Sequence, residues 1–371
     1  MRLTSRLGSL ALLITLFLLL SSLIGGTGVA SVSVHYVDVG HGDAILIQCH
    51  TCEARILIDS GDRSSLSRST LLGYLEDLGI SSLCAVVATH PHSDHIGGFA
   101  AVFERFPVKR IYDSGYQHTT RLYREYMELI VDLRIPYSPV RAGDTIEVTG
   151  ITLSVIHPDE DGFDTYRIND SSVVLRFVYG EIAFLFTGDA ERAAERAILA
   201  GGAEISSNIL KVGHHGSSTS STREFLAAVG PEVAIVMVDG NNRYGLPSME
   251  VISALEAMGS RVYRTDTNGS IVVSTDGLSY QIATERTGAK DRADSDTLAG
   301  SSDHQRPEQA RVNINSASID DLRQIVHIGP VRADSIHRGR PWSSIDDLIS
   351  IQGIGPATLQ DIKDQGLAYV E

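Results

Sequence analysis

Only three cysteines, Cys49, Cys52 and Cys84, are spread over 371 residues, so covalent cross-links cannot be the framework of this chain. Basic residues are also scarce. There are 31 Lys and Arg against 46 Asp and Glu, a formal charge of -15, which excludes a polycation that holds nucleic acid by overall attraction. Beyond residue 30 no run is apolar enough to cross a bilayer as a helix. What is present, 43% hydrophobic residues, is ample for a sizeable core and two folded units.

Arg2 and Arg6 precede an apolar run from Leu7 to Ile24 and then "GGTGVA", the pattern of a secretory signal cut after Ala30. An uncleaved anchor is the alternative, because the run approaches the roughly 17–20 residues of the shortest membrane spans. Residues 1–30 are therefore expected as a signal peptide or N-terminal anchor, the one source of membrane association, with the protein exported to the cell envelope or beyond. Removing two arginines takes the charge from -15 to -17. Cys49 and Cys52 enclose "HT" between two strand-like runs and are placed to close a disulfide in an oxidising compartment; a zinc reading of this C-x-x-C lacks a second ligand pair nearby.

"VSVHYVDVG", "AILIQ", "ARILID" and "CAVVAT" read as short strands rich in Val and Ile. Helical spacing is expected over 65–78, with Leu66, Leu71, Leu72, Leu75 and Leu78 largely on one face, and near 98–106, 118–133, 190–200, 221–229 and 248–258. This alternation predicts an α/β layered domain over 31–284, sheets covered by helices. Residues 285–310 hold almost nothing apolar and read as a flexible polar linker. From 311 to 371 short helices are punctuated by "HIGP" and "GIGP", a near-repeat 26 residues apart, which predicts a second, small all-α domain.

"THPHSDHIGG" follows one of the buried strands. His90 and His92 can turn toward one ion while Asp94 and His95 reach a second beside it. Gly97 and Gly98 are expected to let the backbone turn tightly into the next helix. Asp59 in "ILIDSG", Asp189 in "FLFTGDA", and His214 and His215 in "KVGHHGSS" end other apolar runs and complete the carboxylate and imidazole set of a two-metal centre.

In order, "DVGHGDAILI", "ILIDSG", "THPHSDHIGG", "FLFTGDA", "KVGHHGSS" and "NNRYGLP" resemble metallo-β-lactamase-fold hydrolases, and more narrowly the hydrolase domain of the ComEC-like DNA-uptake branch, over about residues 32–284. The resemblance implies an αββα sandwich and two divalent ions, zinc or manganese, with no organic cofactor. It makes His90, His92, Asp94 and His95 the metal cluster, Asp189 the acid bridging two ions, and Asp59 the acid that steadies the cluster, with Asp94 and Asp59 as catalytic acids. Of the "HHG" pair it favours His215 as ligand and leaves His214 as ligand or phosphate contact. Two departures stand out. Where members carry another histidine, "RINDSSVVL" places Asn169, Asp170 and Ser171, with His157 in "VIHP" as a substitute, and Leu246 stands where Tyr-Gly-His-Pro has its histidine.

Residues 311–366 resemble the paired helix-hairpin-helix unit of ComEA-type DNA receptors, which implies sequence-independent contact of hairpin N–H groups with DNA phosphates. Gly329, Gly353 and Gly355 match hairpin glycines, and Arg332, Arg338, Arg340 and Lys363 offer a local basic face. Six basic residues against eight acidic ones from 311 to 371 make that grip weak and salt-sensitive. The leading expectation is an exported DNA phosphodiesterase working through a metal-activated hydroxide. A DNA receptor with a weak or inactive hydrolase domain, and a hydrolase of another phosphodiester, are the alternatives.

Overall fold

The computed structural model describes residues 31–159 and 167–286, and those of 312–370 outside 323–324, 326–327, 329, 352–353, 355–358, 360–361 and 364–367. The expected signal or anchor lies outside the described residues, as does the expected linker beyond residue 286. The chain divides into two compact units, Met1–Asp296 and Thr297–Glu371.

In the first unit, one mixed sheet joins β1 (Val32–Tyr36), β2 (Ile45–Cys49), β3 (Arg55–Ile58), β4 (Ala85–Ala88), β5 (Ile111–Asp113), β6 (Tyr137–Pro139), β14 (Ile271–Thr275) and β15 (Tyr280–Thr284). Its order is β15-β14-β1-β2-β3-β4-β5-β6, antiparallel from β15 to β3 and parallel from β3 to β6. The second sheet runs from β13 (Arg261–Arg264) through β12 (Val233–Val236), β11 (Ile209–Lys211), β10 (Ile182–Phe186), β9 (Val174–Tyr179) and β8 (Ile151–His157) to β7 (Thr145–Val148).

Alternate residues of each strand enter different cores, as the two-residue side-chain period requires. Val34, Ile47, Ile56, Val87, Phe184, Ile209 and Ile235 share one core between the sheets. Leu46, Leu57 and Val86 face the other way, against Leu71 and Leu75 of helix Ser65–Asp77, Phe99 of Phe99–Arg105 and Tyr126 of Arg121–Asp132. Leu185, Leu210 and Ala234 meet helices Arg192–Gly201, Arg223–Val229 and Met249–Ala257 in the same manner. The result is a helix, sheet, sheet, helix sandwich.

Some expectations need correction. Leu66 does not join the buried face of its helix but is 76% exposed, because five residues of helix place it about 140° from Leu71. Glu285 and Arg286 extend the folded unit, their N–H groups donating to Ser270 O at 2.9 Å and Asn268 O at 2.8 Å. The expected disulfide between Cys49 and Cys52 is present.

The second unit has its own core, in which Ile314, Ile325, Ala333, Ile336, Leu348 and Ile362 are buried. The near-repeat is structural: Ile328 and Ile354 are both buried, and each N–H donates at 3.0 Å to the isoleucine three residues earlier, Ile325 and Ile351. A two-residue parallel pairing of Val312–Asn313 with Ala368–Tyr369 joins the beginning and end of this unit, beside its helices.

Candidate metal centre

The centre lies at the C-terminal ends of β3, β4, β10 and β11, where apolar strands finish and polar residues follow. β4 leads into Thr89, His90 and His92, and a single helical turn, Ser93–Ile96, carries Asp94 and His95. That turn is bonded to its neighbours, Ser60 N–H donating to His95 O at 2.7 Å and Asp43 N–H to Asp94 O at 3.2 Å. Close approach, not a turn, explains the glycines here. Gly97 and Gly98 have ordinary right-handed backbone, but a Cβ on Gly98 would stand 2.2 Å from Ser60 O. Asp59, His214 and His215 all adopt left-handed φ angles, of 58°, 47° and 53°, a costly conformation for side chains of this size and one that concentrates at functional sites.

Asp94, His95, Asp189 and His215 present one donor atom each, all within 4.8 Å of one another. His95 Nε2 is 3.3 Å from Asp189 Oδ2, and His215 Nε2 is 3.2 Å from Asp94 Oδ2 and 3.5 Å from Asp189 Oδ2. The outer nitrogens are committed elsewhere. His95 Nδ1 donates to Asp59 Oδ2 at 2.8 Å and His215 Nδ1 to Met237 O at 2.9 Å, so both rings turn Nε2 to the centre. His95 Nε2 and Asp189 Oδ1 are buried without a hydrogen-bond partner. Two orphaned atoms, two oriented imidazoles and two carboxylates fit a divalent cation.

The electrostatics agree. Burial lowers the pKa of His95, but Asp189, Asp59 and Asp94 overcome it and hold the imidazolium well above its usual range. His215, likewise opposed by burial, is lifted to about 10 by Asp189 and Asp94. Burial would raise Asp189, yet His215 and His95 hold it well below the ordinary carboxylate value. The pocket is organised to pair its carboxylates with positive charge, the role an ion fills once the rings are neutral.

His90 and His92 form a second flank, His90 Nε2 lying 2.9 Å from His92 Nδ1 and 3.9 Å from Asp189 Oδ2. Burial and the neighbouring His95 keep His90 neutral. His214 reaches the same oxygen, its Nε2 3.8 Å from Asp189 Oδ2, while its Nδ1 lies 3.0 Å from Glu191 Oε1. Asp59 acts through other residues: wholly buried, it bonds His95 directly and the Thr89 hydroxyl, which itself lies 3.2 Å from His90 Nδ1.

His157 is not brought into the cluster. Its Nε2 donates to the backbone carbonyl of Asp170 at 2.7 Å, which removes it as a replacement ligand. In "RINDSSVVL", Asp170 Oδ1 accepts the N–H groups of Glu191 and Ala194 at 3.0 Å, capping a helix start. Asn169 faces the centre, its Nδ2 3.5 Å from His214 Nε2. Ser172 supports Asp189, its hydroxyl accepting from Asp189 N–H at 3.1 Å.

The sequence reasoning missed Asp43 and Lys211. Lys211 is fully buried, salt-bridged to Asp43, 3.8 Å from Asp189 Oδ1, and donates to Gly188 O at 2.9 Å. Burial lowers its pKa, but Asp43 and Asp189 more than compensate. A lysine closing the strand "ILK" was the available signal. The centre opens into a cleft of about 730 Å³ lined by His41, His92, Asp189, His214, Arg243 and Tyr244, among others.

In the second unit, Lys363 is paired with Asp346, and Arg340 turns onto backbone carbonyls of the same unit, donating to Ile314 O at 2.7 Å and Ala317 O at 2.5 Å. Arg332 is half-buried and Arg338 exposed on helix Pro330–Arg338. Gly329, Gly353 and Gly355 lie outside the described residues. Among the described residues no helix is long and apolar enough to cross a membrane.

Comparison with known proteins agrees with this architecture. ComE operon protein 3 of Bacillus subtilis (strain 168) is 30% identical over 253 residues, 64% of this chain and 32% of that protein. Competence protein ComA of Neisseria gonorrhoeae is 30% identical over 235 residues, 63% of this chain and 31% of its own. The chain thus spans about a third of the length of these relatives. A deoxyribonuclease of Thioalkalivibrio sp. (strain K90mix) is 42% identical over 64 residues, 17% of this chain and 18% of that one. Residues 307–365 match the helix-hairpin-helix motif. Residues 37–240, which contain every side chain of the centre, match the metallo-beta-lactamase superfamily, and the chain belongs to that superfamily.

Proposed function

We propose that this protein is an exported, metal-dependent phosphodiesterase that hydrolyses DNA, its second unit holding the polymer by the phosphate backbone without reading sequence. The observation that carries the reading is the convergence of Asp94, His95, Asp189 and His215 on one point with two buried atoms unpartnered. In the same chain a helix-hairpin-helix motif supplies the reason for a DNA substrate. Asp94, His95, Asp189 and His215 would hold one zinc or manganese ion, and His90, His92 and His214 a second, with Asp189 shared. Ions there would acidify water and neutralise charge on the phosphodiester oxygens.

The chain's own groups do the positioning. Asp59 and Met237 O fix the proton on the outer nitrogens of His95 and His215, leaving Nε2 free to bind. Lys211 and the Ser172 hydroxyl hold the Asp189 carboxylate and backbone in place. Asp94, half-buried at the cleft, is more exposed than Asp189, and despite burial His95 and His215 hold its carboxylate well below the usual range, so it stays ionised and ready to bind a cation. A weak DNA grip on the same chain raises the local concentration of substrate.

The full chain with manganese or zinc should degrade linear or single-stranded DNA, and Asp189→Asn should abolish this. Native protein that binds DNA but cleaves none with either metal overturns the proposal and leaves a DNA receptor.

A further inference from the structure

From the cleft wall we infer that Tyr244 and Arg243 form a nucleotide platform, so that the substrate is single-stranded DNA, bound with an unpaired base stacked on Tyr244 beside the scissile phosphodiester. This rests on the phosphodiesterase reading and adds the strand state of the substrate. Tyr244 is 57% exposed, so much of an aromatic ring faces the solvent of the cleft. It lies at the centre's edge: its ring stacks on His41 at 5.3 Å and 25°, and His41 Nε2 is 3.4 Å from Asp94 Oδ2.

The ring is held ready by its loop. The Asn242 side-chain oxygen accepts the N–H groups of Tyr244 at 3.1 Å and Leu246 at 3.0 Å, while its nitrogen donates to Asp239 O at 2.6 Å and Leu246 O at 2.8 Å. Such preorganisation lowers the entropy cost of binding.

Arg243 rests over the phenol, its guanidinium carbon 5.1 Å from the ring centroid, and donates to Tyr244 Oη at 3.0 Å. Both side chains face solvent, so this contact is weak and the guanidinium can exchange it for a phosphate, uncovering ring surface for a base. Arg243 is the one Lys or Arg among the described residues lining the cleft. One cation and one aromatic suit a flexible strand with splayed bases; a duplex keeps its bases stacked within and needs a broader basic track.

The test compares a labelled single-stranded oligonucleotide, the duplex of the same sequence and bis-p-nitrophenyl phosphate, using the full chain with manganese. Native protein should cut the single strand in preference to the duplex. Tyr244→Ala should raise KM for the single strand roughly tenfold with kcat little changed, the effect of losing one stacked base, and lower the oligonucleotide-to-small-diester ratio of kcat/KM to match. Tyr244→Trp should restore it. A duplex cut as fast as the single strand, or a ratio unmoved in Tyr244→Ala, overturns this inference while leaving the phosphodiesterase reading intact. If native protein hydrolyses none of the three, both fall.

Discussion

Asp59→Asn tests whether the centre depends on a group that never touches the ion. Asp59 Oδ1 accepts from Thr89 N–H at 2.8 Å, and Oδ2 accepts from the Thr89 hydroxyl at 2.7 Å and His95 Nδ1 at 2.8 Å. In the variant the amide oxygen keeps the Thr89 N–H, which places the amide nitrogen where Oδ2 was. Two N–H groups then oppose each other unless His95 moves its proton to Nε2, and a protonated Nε2 cannot bind metal. Either outcome weakens one donor of four. Loss of such a partner typically lowers metal affinity about 10–100-fold, or ~1.4–2.7 kcal/mol. Competition titration of zinc against a chromophoric chelator reads the change directly, and near-ultraviolet circular dichroism on the same sample confirms that the variant is folded. A folded Asp59→Asn protein whose zinc affinity matches the native chain would refute the reasoning.

Lys211→Met leaves the buried Asp43 carboxylate without its cation, and breaking such a pair costs about 3–5 kcal/mol; urea unfolding of the metal-free protein should show that loss, and a change below about 1 kcal/mol would mean the pair is not needed. Asp113 is pushed up to about 6 by burial, against hydrogen bonds from Tyr137 and Gly115. A carboxyl whose folded pKa lies above its unfolded value contributes stability at low pH that is lost as pH rises, here between 3.8 and about 6. The full difference is worth ~3 kcal/mol, so Asp113→Asn should gain up to that much over the native chain well above pH 6 and nothing well below pH 4; an equal difference at both ends would contradict it. His157→Gln should bind as many ions as the native protein, because His157 is committed to Asp170 O; a lower count by elemental analysis would return it to the ligand set.

What the sequence made legible was local. Strands such as "CAVVAT" and "FLFTGDA" announce themselves by short β-branched or aromatic runs, and the polar residue closing each run marks the end of the sheet where ligands gather. The histidine cluster is a contiguous motif, so its members stand out as candidates without knowledge of their neighbours. Lys211 and Asp43 were not legible because their meaning lies in a pairing across 168 positions of chain that only the sandwich creates. His157 failed for the opposite reason: it had the right chemistry at the end of a strand, but a carbonyl 13 residues away had already taken its Nε2.

The position of the expected third histidine shows how these limits combine. By sequence, Asn169, Asp170 and Ser171 stand where a further histidine is expected, with His157 as the substitute. In space Asn169 meets His214, 3.5 Å away, where the left-handed backbone at His214 and His215 turns two consecutive rings toward one carboxylate oxygen of Asp189, at 3.8 and 3.5 Å. Consecutive residues in ordinary strand geometry would point to opposite faces. The strained turn therefore brings both rings of one dipeptide to Asp189, which an extended strand end would not do.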